Sequence, residues 1–140
     1  MKLLILNGPN LNLLGTREPE KYGNTSFEDH FSKLQFKFRN IELSYEQTNI
    51  EGELISLIQE ARKVFDGIIL NAAAYTHTSV GIGDAVAAID IPVVEVHISN
   101  TFSREDFRHK SFISPNAKGV IVGFGLQSYD LAIESFIKNE

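Results

Sequence analysis

The chain alternates short apolar runs with stretches of helical periodicity. Lys2–Asn7 is a continuous apolar run that stops at Gly8-Pro9, the pattern of a strand buried on both faces. Thr25 and Glu28 have capping-box spacing, and Phe27, Phe31, Leu34 and Phe38 then recur at helical intervals to about Asn40. Ile41, Leu43 and Tyr45 alternate with Glu42, Ser44 and Glu46, which predicts a half-exposed strand at a sheet edge. A second helix is predicted over 51–65, with Leu54, Leu57, Ile58 and Ala61 on one face and a break at Asp66-Gly67. Residues 67–70 read as a buried strand, 78–89 as a helix weakened by Gly81 and Gly83, and 92–97 as a fourth strand. The core of a fifth strand falls at 120–122, and a last helix at about 126–137.

Five strands alternating with helices imply right-handed crossovers and a parallel sheet covered on both faces. The expectation is α/β: a flavodoxin-like doubly wound three-layer sandwich with a five-stranded parallel sheet. At 140 residues, with neither repeat nor linker, 1–140 is expected to form a single domain. Ten phenylalanines within 43% apolar residues suffice for a core. A formal charge of −5 argues against a general nucleic-acid or anionic-membrane binder. With no cysteine, disulfides, thiolate zinc sites and cysteine nucleophiles are all excluded. The apolar start is too short for a signal peptide and no run approaches a membrane span, so a soluble cytoplasmic protein is expected.

The feature this pattern leaves unexplained is 8–23, GPNLNLLGTREPEKYG, an irregular stretch longer than a small domain normally carries without a purpose. It holds Arg17 and Tyr22 five residues apart, and about 16–24 is a candidate catalytic lid. Tyrosine ionises near pH 10 in its ordinary state. Acting as a base at neutrality therefore needs roughly 3–4 kcal/mol of phenolate stabilisation, much of which a close arginine in a water-poor pocket supplies. The fold makes an independent prediction, because such sheets bind ligands beyond the carboxyl ends of their strands at the switch point. Asn7 and Asn10 follow the first strand; Asn71, Tyr75, Thr76 and His77 the third; Glu95, His97, Ser99 and Asn100 the fourth, with Arg104 and Arg108 soon after.

This set has a potential base, two histidines, arginines and amides, and it lacks an activated nucleophile, paired carboxylates or a spaced metal-ligand cluster. Proton abstraction beside a carbonyl with acid-assisted loss of water suits it. An arginine would take a carboxylate by a two-pronged contact. Glu95 and His97 share a strand face and can form an orienting pair, although a buried structural ion pair would have the same sequence. His77 can cap the helix near Thr78 or meet substrate; His30 and His109 read as structural or solvent-facing. Arg104 and Arg108 are spaced to share a helical face, Arg104 serving structure or the lid. The phenylalanines of the first helix read as core or subunit interface. Rival functions fare worse. A flavin carrier needs a hydroxyl-rich phosphate loop where this chain has Gly8-Pro9-Asn10, and a receiver domain needs acidic residues where it has Asn7 and Asn10. Gly123-Phe124-Gly125 follows the last strand and lacks a third glycine, so it is not a dinucleotide loop.

These segments together resemble the type II 3-dehydroquinate dehydratases nearly end to end: GPNLNLLGTREPEKYG, the stretch from Glu46 through Gly52-Glu53-Leu54, AYTHTSVGIGDA, VEVHISN and REDFRHKSFIS. The resemblance implies a lyase, needing neither metal nor organic cofactor, that removes water from 3-dehydroquinate by anti elimination through an enolate to give 3-dehydroshikimate in the shikimate pathway of aromatic amino acid biosynthesis. By the same resemblance Tyr22 is the base, Arg17 promotes its ionisation, and His97 is the acid, oriented by Glu95. Asn10 holds a water against the enolate oxygen, and Asn71, His77, Ser99 with the Ile98 backbone, and Arg108 contact substrate. Asp84 reaches a neighbouring subunit's site in trimers that assemble into a dodecamer. The chain departs from the family pattern at Ala72-Ala73, where Pro-Gly is frequent, at Gly81-Ile82-Gly83, where bulkier residues are usual, and at Thr48, where serine is common. The two glycines are expected to soften the start of their helix and loosen Asp84.

Overall fold

The computed structural model describes residues 1–16 and 24–137. Its strands are β1 (Lys2–Asn7), β2 (Glu42–Gln47), β3 (Gly67–Asn71), β4 (Val93–His97) and β5 (Gly119–Val122), all parallel, in the order β2-β1-β3-β4-β5. This is the flavodoxin-like order, whose direction of winding reverses between β1 and β3. The helices are α1 (Phe27–Lys37), α2 (Glu51–Ala61), α3 (Val80–Ala88) and α4 (Gln127–Phe136).

Strand periodicity divides the core into two layers. Leu3, Ile5, Ile69, Val94 and Val96 pack with Phe27 and Leu34 of α1 and Tyr129 and Ile133 of α4. Leu4, Leu6, Ile68, Leu70 and Val93 pack with Leu54 and Ile58 of α2 and Ile82 and Val86 of α3. As expected, β2 is a half-exposed edge strand, hydrogen-bonded only to β1 among the described strands.

The element ends differ from the sequence reading for local reasons. Ser26, not Thr25, caps α1, its Oγ accepting from the Asp29 amide at 3.2 Å. This satisfies one of the donors a helix start leaves open. α2 ends at Ala61 instead of 65, since the amides of Val64 and Phe65 both turn back to the Ala61 carbonyl. α3 starts at Val80, capped by Ser79, because a 3-10 turn over Ala73–His77 takes the preceding residues. α3 runs unbroken through Gly81 and Gly83. At Gly83 an added Cβ would lie 2.4 Å from the Phe112 carbonyl oxygen, so the missing side chain lets 111–114 close against α3.

Among the described residues two non-glycines have left-handed backbone, Asn10 (φ 70°) after β1 and Ala73 (φ 52°) after β3. Asparagine tolerates this region and alanine does not. Ala73 is one of the departures from the family pattern, standing where glycine is frequent. Ala73→Gly is therefore expected to stabilise the protein by about 0.5–1 kcal/mol, read by calorimetry as a Tm rise of roughly 2–4 °C. An unchanged or lower Tm would mean that the strain is relieved elsewhere.

Candidate active site

The ends of β1, β3 and β4 surround a cavity of about 210 Å³. It lies where the winding order predicts a site. Asn10 comes from the turn after β1, and Asn71 and His77 from the end of β3 and the turn beyond it. His97, Ile98 and Ser99 come from the end of β4, and Arg108 from the segment that follows. Seven of the eleven residues given a role by the resemblance thus meet in one place. Glu95 lies behind His97, and Asp84 is exposed on α3 and does not line this cavity. Arg17 and Tyr22, with most of the expected lid, lie outside the described residues.

Backbone contacts hold the cavity wall. Gly8 donates to the Asn71 carbonyl at 2.8 Å, and a Cβ on it would lie 2.6 Å from the Ala72 oxygen. Only glycine lets these two strand ends approach so closely. Leu11 and Leu14 anchor the described part of the irregular stretch in the core, around a 3-10 turn at Leu11–Leu13. The Asn10 amide donates to Asn49 Oδ1 at 3.0 Å, fixing the residue in its left-handed conformation. At the far side, the amides of Gly123 and Gly125 donate to the carbonyls of His97 (3.1 Å) and Ile98 (3.0 Å). That grip, made with positive φ at both glycines, is what the Gly-Phe-Gly segment does.

A buried polar chain supports Asn71. The Tyr129 hydroxyl donates to Asn7 Oδ1 at 2.8 Å and accepts from Asn71 Nδ2 at 2.9 Å, while Asn71 Oδ1 accepts from the Ala73 amide. Burial pushes the Tyr129 phenol well above its ordinary value, and that of Tyr45 up to about 12. Neither can serve as a base at neutral pH.

Behind His97, the Glu95 carboxylate is only 1% exposed. Burial alone would raise its pKa. Hydrogen bonds from His97 and from Ser114 and Ser111 outweigh that and hold it below the ordinary carboxylate value. A carboxylate only accepts, so His97 Nε2, 2.5 Å from Glu95 Oε2, is the protonated nitrogen, and Nδ1 is left for chemistry. His77 stacks on His97 with ring centroids 6.1 Å apart. Burial lowers the His77 pKa, with further lowering from the charges of His97 and Arg108 against a raising bond to Lys110. Its Nδ1 donates to the Lys110 carbonyl at 2.7 Å, so His77 does not cap α3, and its Nε2 is an acceptor.

The low Glu95 pKa fixes a sign. Between the folded value and about 4.5 the unfolded chain binds the extra proton, so stability falls as pH drops through that window and is fully present above it. Glu95→Gln is expected to lower stability at pH 7 and flatten this acid-side slope in chemical denaturation between pH 6 and 3. An identical slope would contradict the assignment.

Arg104, placed by the sequence with the strand-end groups and read as serving structure or the lid, also lines the cavity and donates from Nη1 to Ser99 Oγ at 3.2 Å. It shares no helix with Arg108, since it sits between 3-10 turns at Thr101–Ser103 and Asp106–His109. Ser111 and Ser114 bind Glu95, and Tyr129 supports Asn71, from sequence positions with no motif. His30 and His109 are structural, bonded to Asp130 (3.0 Å) and the Arg104 carbonyl (3.1 Å). Among the described residues no group of three or more His, Cys, Asp or Glu is arranged to hold a metal. No described helix is long and apolar enough to cross a membrane.

Known proteins carry the same arrangement of elements. The family model described as Dehydroquinase class II matches residues 1–137. A 3-dehydroquinate dehydratase of Prochlorococcus marinus (strain MIT 9301) is 53% identical over 98% of this chain and 95% of its own. One from Dinoroseobacter shibae is 53% identical over 96% of this chain and 91% of its own. The crystal structure of a type II dehydroquinase from Butyrivibrio crossotus superposes with a TM-score of 0.93 at 47% identity, covering 96% of each chain. On this match, which runs through every strand and helix around the cavity, the chain belongs to the class II dehydroquinase family.

Proposed function

We propose that this chain is a single catalytic domain that dehydrates 3-dehydroquinate to 3-dehydroshikimate, a lyase of the shikimate pathway acting in the cytoplasm without metal or organic cofactor. The observation that carries this reading is His97, held by the buried Glu95 carboxylate at the wall of a cavity that also presents Asn10, Asn71, Ser99, Arg104 and Arg108. A protonated imidazole can give its proton to a departing hydroxyl. Neighbouring guanidinium groups attract a carboxylate substrate.

The reaction runs in two steps. The Tyr22 phenolate, favoured by Arg17, takes the proton beside the ketone, and the electron pair moves onto the carbonyl oxygen as an enolate. Asn10 holds a water against that oxygen. The enolate then expels the hydroxyl on the opposite face, His97 protonates it, and water leaves to give the conjugated enone. Asn71, His77, Ser99, the Ile98 backbone and Arg108 bind the ring hydroxyls and carboxylate. Tyr22 and Arg17 enter on the intact motif around them. Asp84, exposed and not among the residues lining its own chain's cavity, serves a neighbour's site within trimers that build a dodecamer.

Substrate deuterated separately at each of the two hydrogens of the methylene between the ketone and the carbon that loses its hydroxyl tests this reading. Loss of only the hydrogen anti to the departing hydroxyl is the expected result. Loss of the syn hydrogen, or no product, would overturn it.

A further inference from the structure

We propose that Ser114, together with Ser111, is a positioning residue that acts on His97 through Glu95, so that the 110–114 segment sets the geometry of the acid. The inference rests on the reading of His97 as the proton donor to the leaving hydroxyl.

Hydrogen-bond direction carries the argument. Ser111 Oγ accepts from the amides of Ile113 and Ser114, each at 3.0 Å. Its own hydrogen is therefore aimed at Glu95, whose two oxygens lie 3.1 and 3.0 Å away. Ser114 Oγ donates to Glu95 Oε1 at 2.6 Å, opposite the oxygen that takes His97 Nε2. The two hydroxyls and the imidazole hold the carboxylate ionised in one orientation, and that orientation fixes the imidazole ring.

The segment is itself rigidly seated. Phe112 donates to the Thr76 carbonyl at 3.0 Å, Ile113 is fully buried, and Gly83 admits the Phe112 carbonyl against α3. The same segment supplies the Lys110 carbonyl that sets the His77 tautomer, so it brackets both stacked histidines. Among the described residues, the charged and titratable groups around His97 are Glu95 behind it, His77 stacked on it, Arg104 and Arg108 in the cavity wall, and His109 lining the recess on the Glu95 side. Ser111 and Ser114 line the recess on the Glu95 side and not the cavity itself, so neither meets a substrate bound there.

Ser114→Ala keeps the backbone contacts of the turn and removes one charged hydrogen bond. The expected result is a kcat about tenfold lower, with KM within about twofold. Without that donor the Glu95 carboxyl, followed by 13C NMR on glutamate-labelled protein, titrates at higher pH than in the wild type. Ser114→Thr, which keeps a hydroxyl, restores both readouts. Should Ser114→Ala fail to fold, Ser114→Cys replaces it, with a similar volume and a weaker donor. An unchanged kcat, an unmoved Glu95 titration, or a KM effect without a kcat effect would each overturn the proposal. The NMR arm needs no substrate. A wild type inactive on 3-dehydroquinate would thus refute the proposed reaction while the NMR arm still decides whether Ser114 controls the Glu95–His97 pair.

Discussion

His97→Ala is expected to fold and to lose kcat by about 10²–10⁴. The leaving hydroxyl is a poor leaving group unless protonated as it departs, and His97 is the cavity-lining imidazole that a buried carboxylate orients. The protein should survive the change, because Ser111 and Ser114 continue to solvate Glu95. Loss of the imidazole donor should lower Tm, since a hydrogen bond to a buried charge is worth roughly 1.5–3 kcal/mol. Added imidazole should return part of the activity by entering the vacated space. Turnover within tenfold of wild type, with no response to imidazole, would remove His97 from the chemistry.

Tyr22→Phe should be as damaging, by about 10²–10⁴ in kcat, with little change in KM, because only the hydroxyl that takes the proton is lost. Buried Tyr129 and half-buried Tyr45 cannot replace it. Tyr129 is locked between Asn7 and Asn71, and burial keeps both it and Tyr45 protonated. Arg17→Ala is expected to lose turnover too and to displace the basic limb of the pH–rate profile, because the guanidinium is what favours the phenolate. Wild-type rates in Tyr22→Phe would rule out this base.

The sheet was legible because each strand buried on both faces reads as an unbroken apolar run, as at Leu3 to Leu6 and Ile68 to Leu70. Helix ends were less legible. Whether Thr25 or Ser26 caps α1 depends on one φ/ψ choice that both residues allow. Much of the site was readable because the fold puts whatever follows β1, β3 and β4 in one place. What escaped acts at a distance in sequence. Ser111 and Ser114 are 16 and 19 residues from Glu95, and Tyr129 is 58 from Asn71. A serine or tyrosine in a loop or helix carries no local signal of a partner on another strand. Arg104 reads as serving structure or the lid because Arg108 matches the substrate arginine of the resemblance, and the helical face expected to hold both is replaced by two short 3-10 turns.

Metal-independent dehydration of 3-dehydroquinate is read from the ultraviolet absorbance of the conjugated enone after purified protein is mixed with that compound in EDTA, with His97→Ala and Tyr22→Phe alongside. A steady rise with the wild type and almost none with either variant is expected. A folded wild-type protein that gives no rise, or variants that match it, would refute this chemistry.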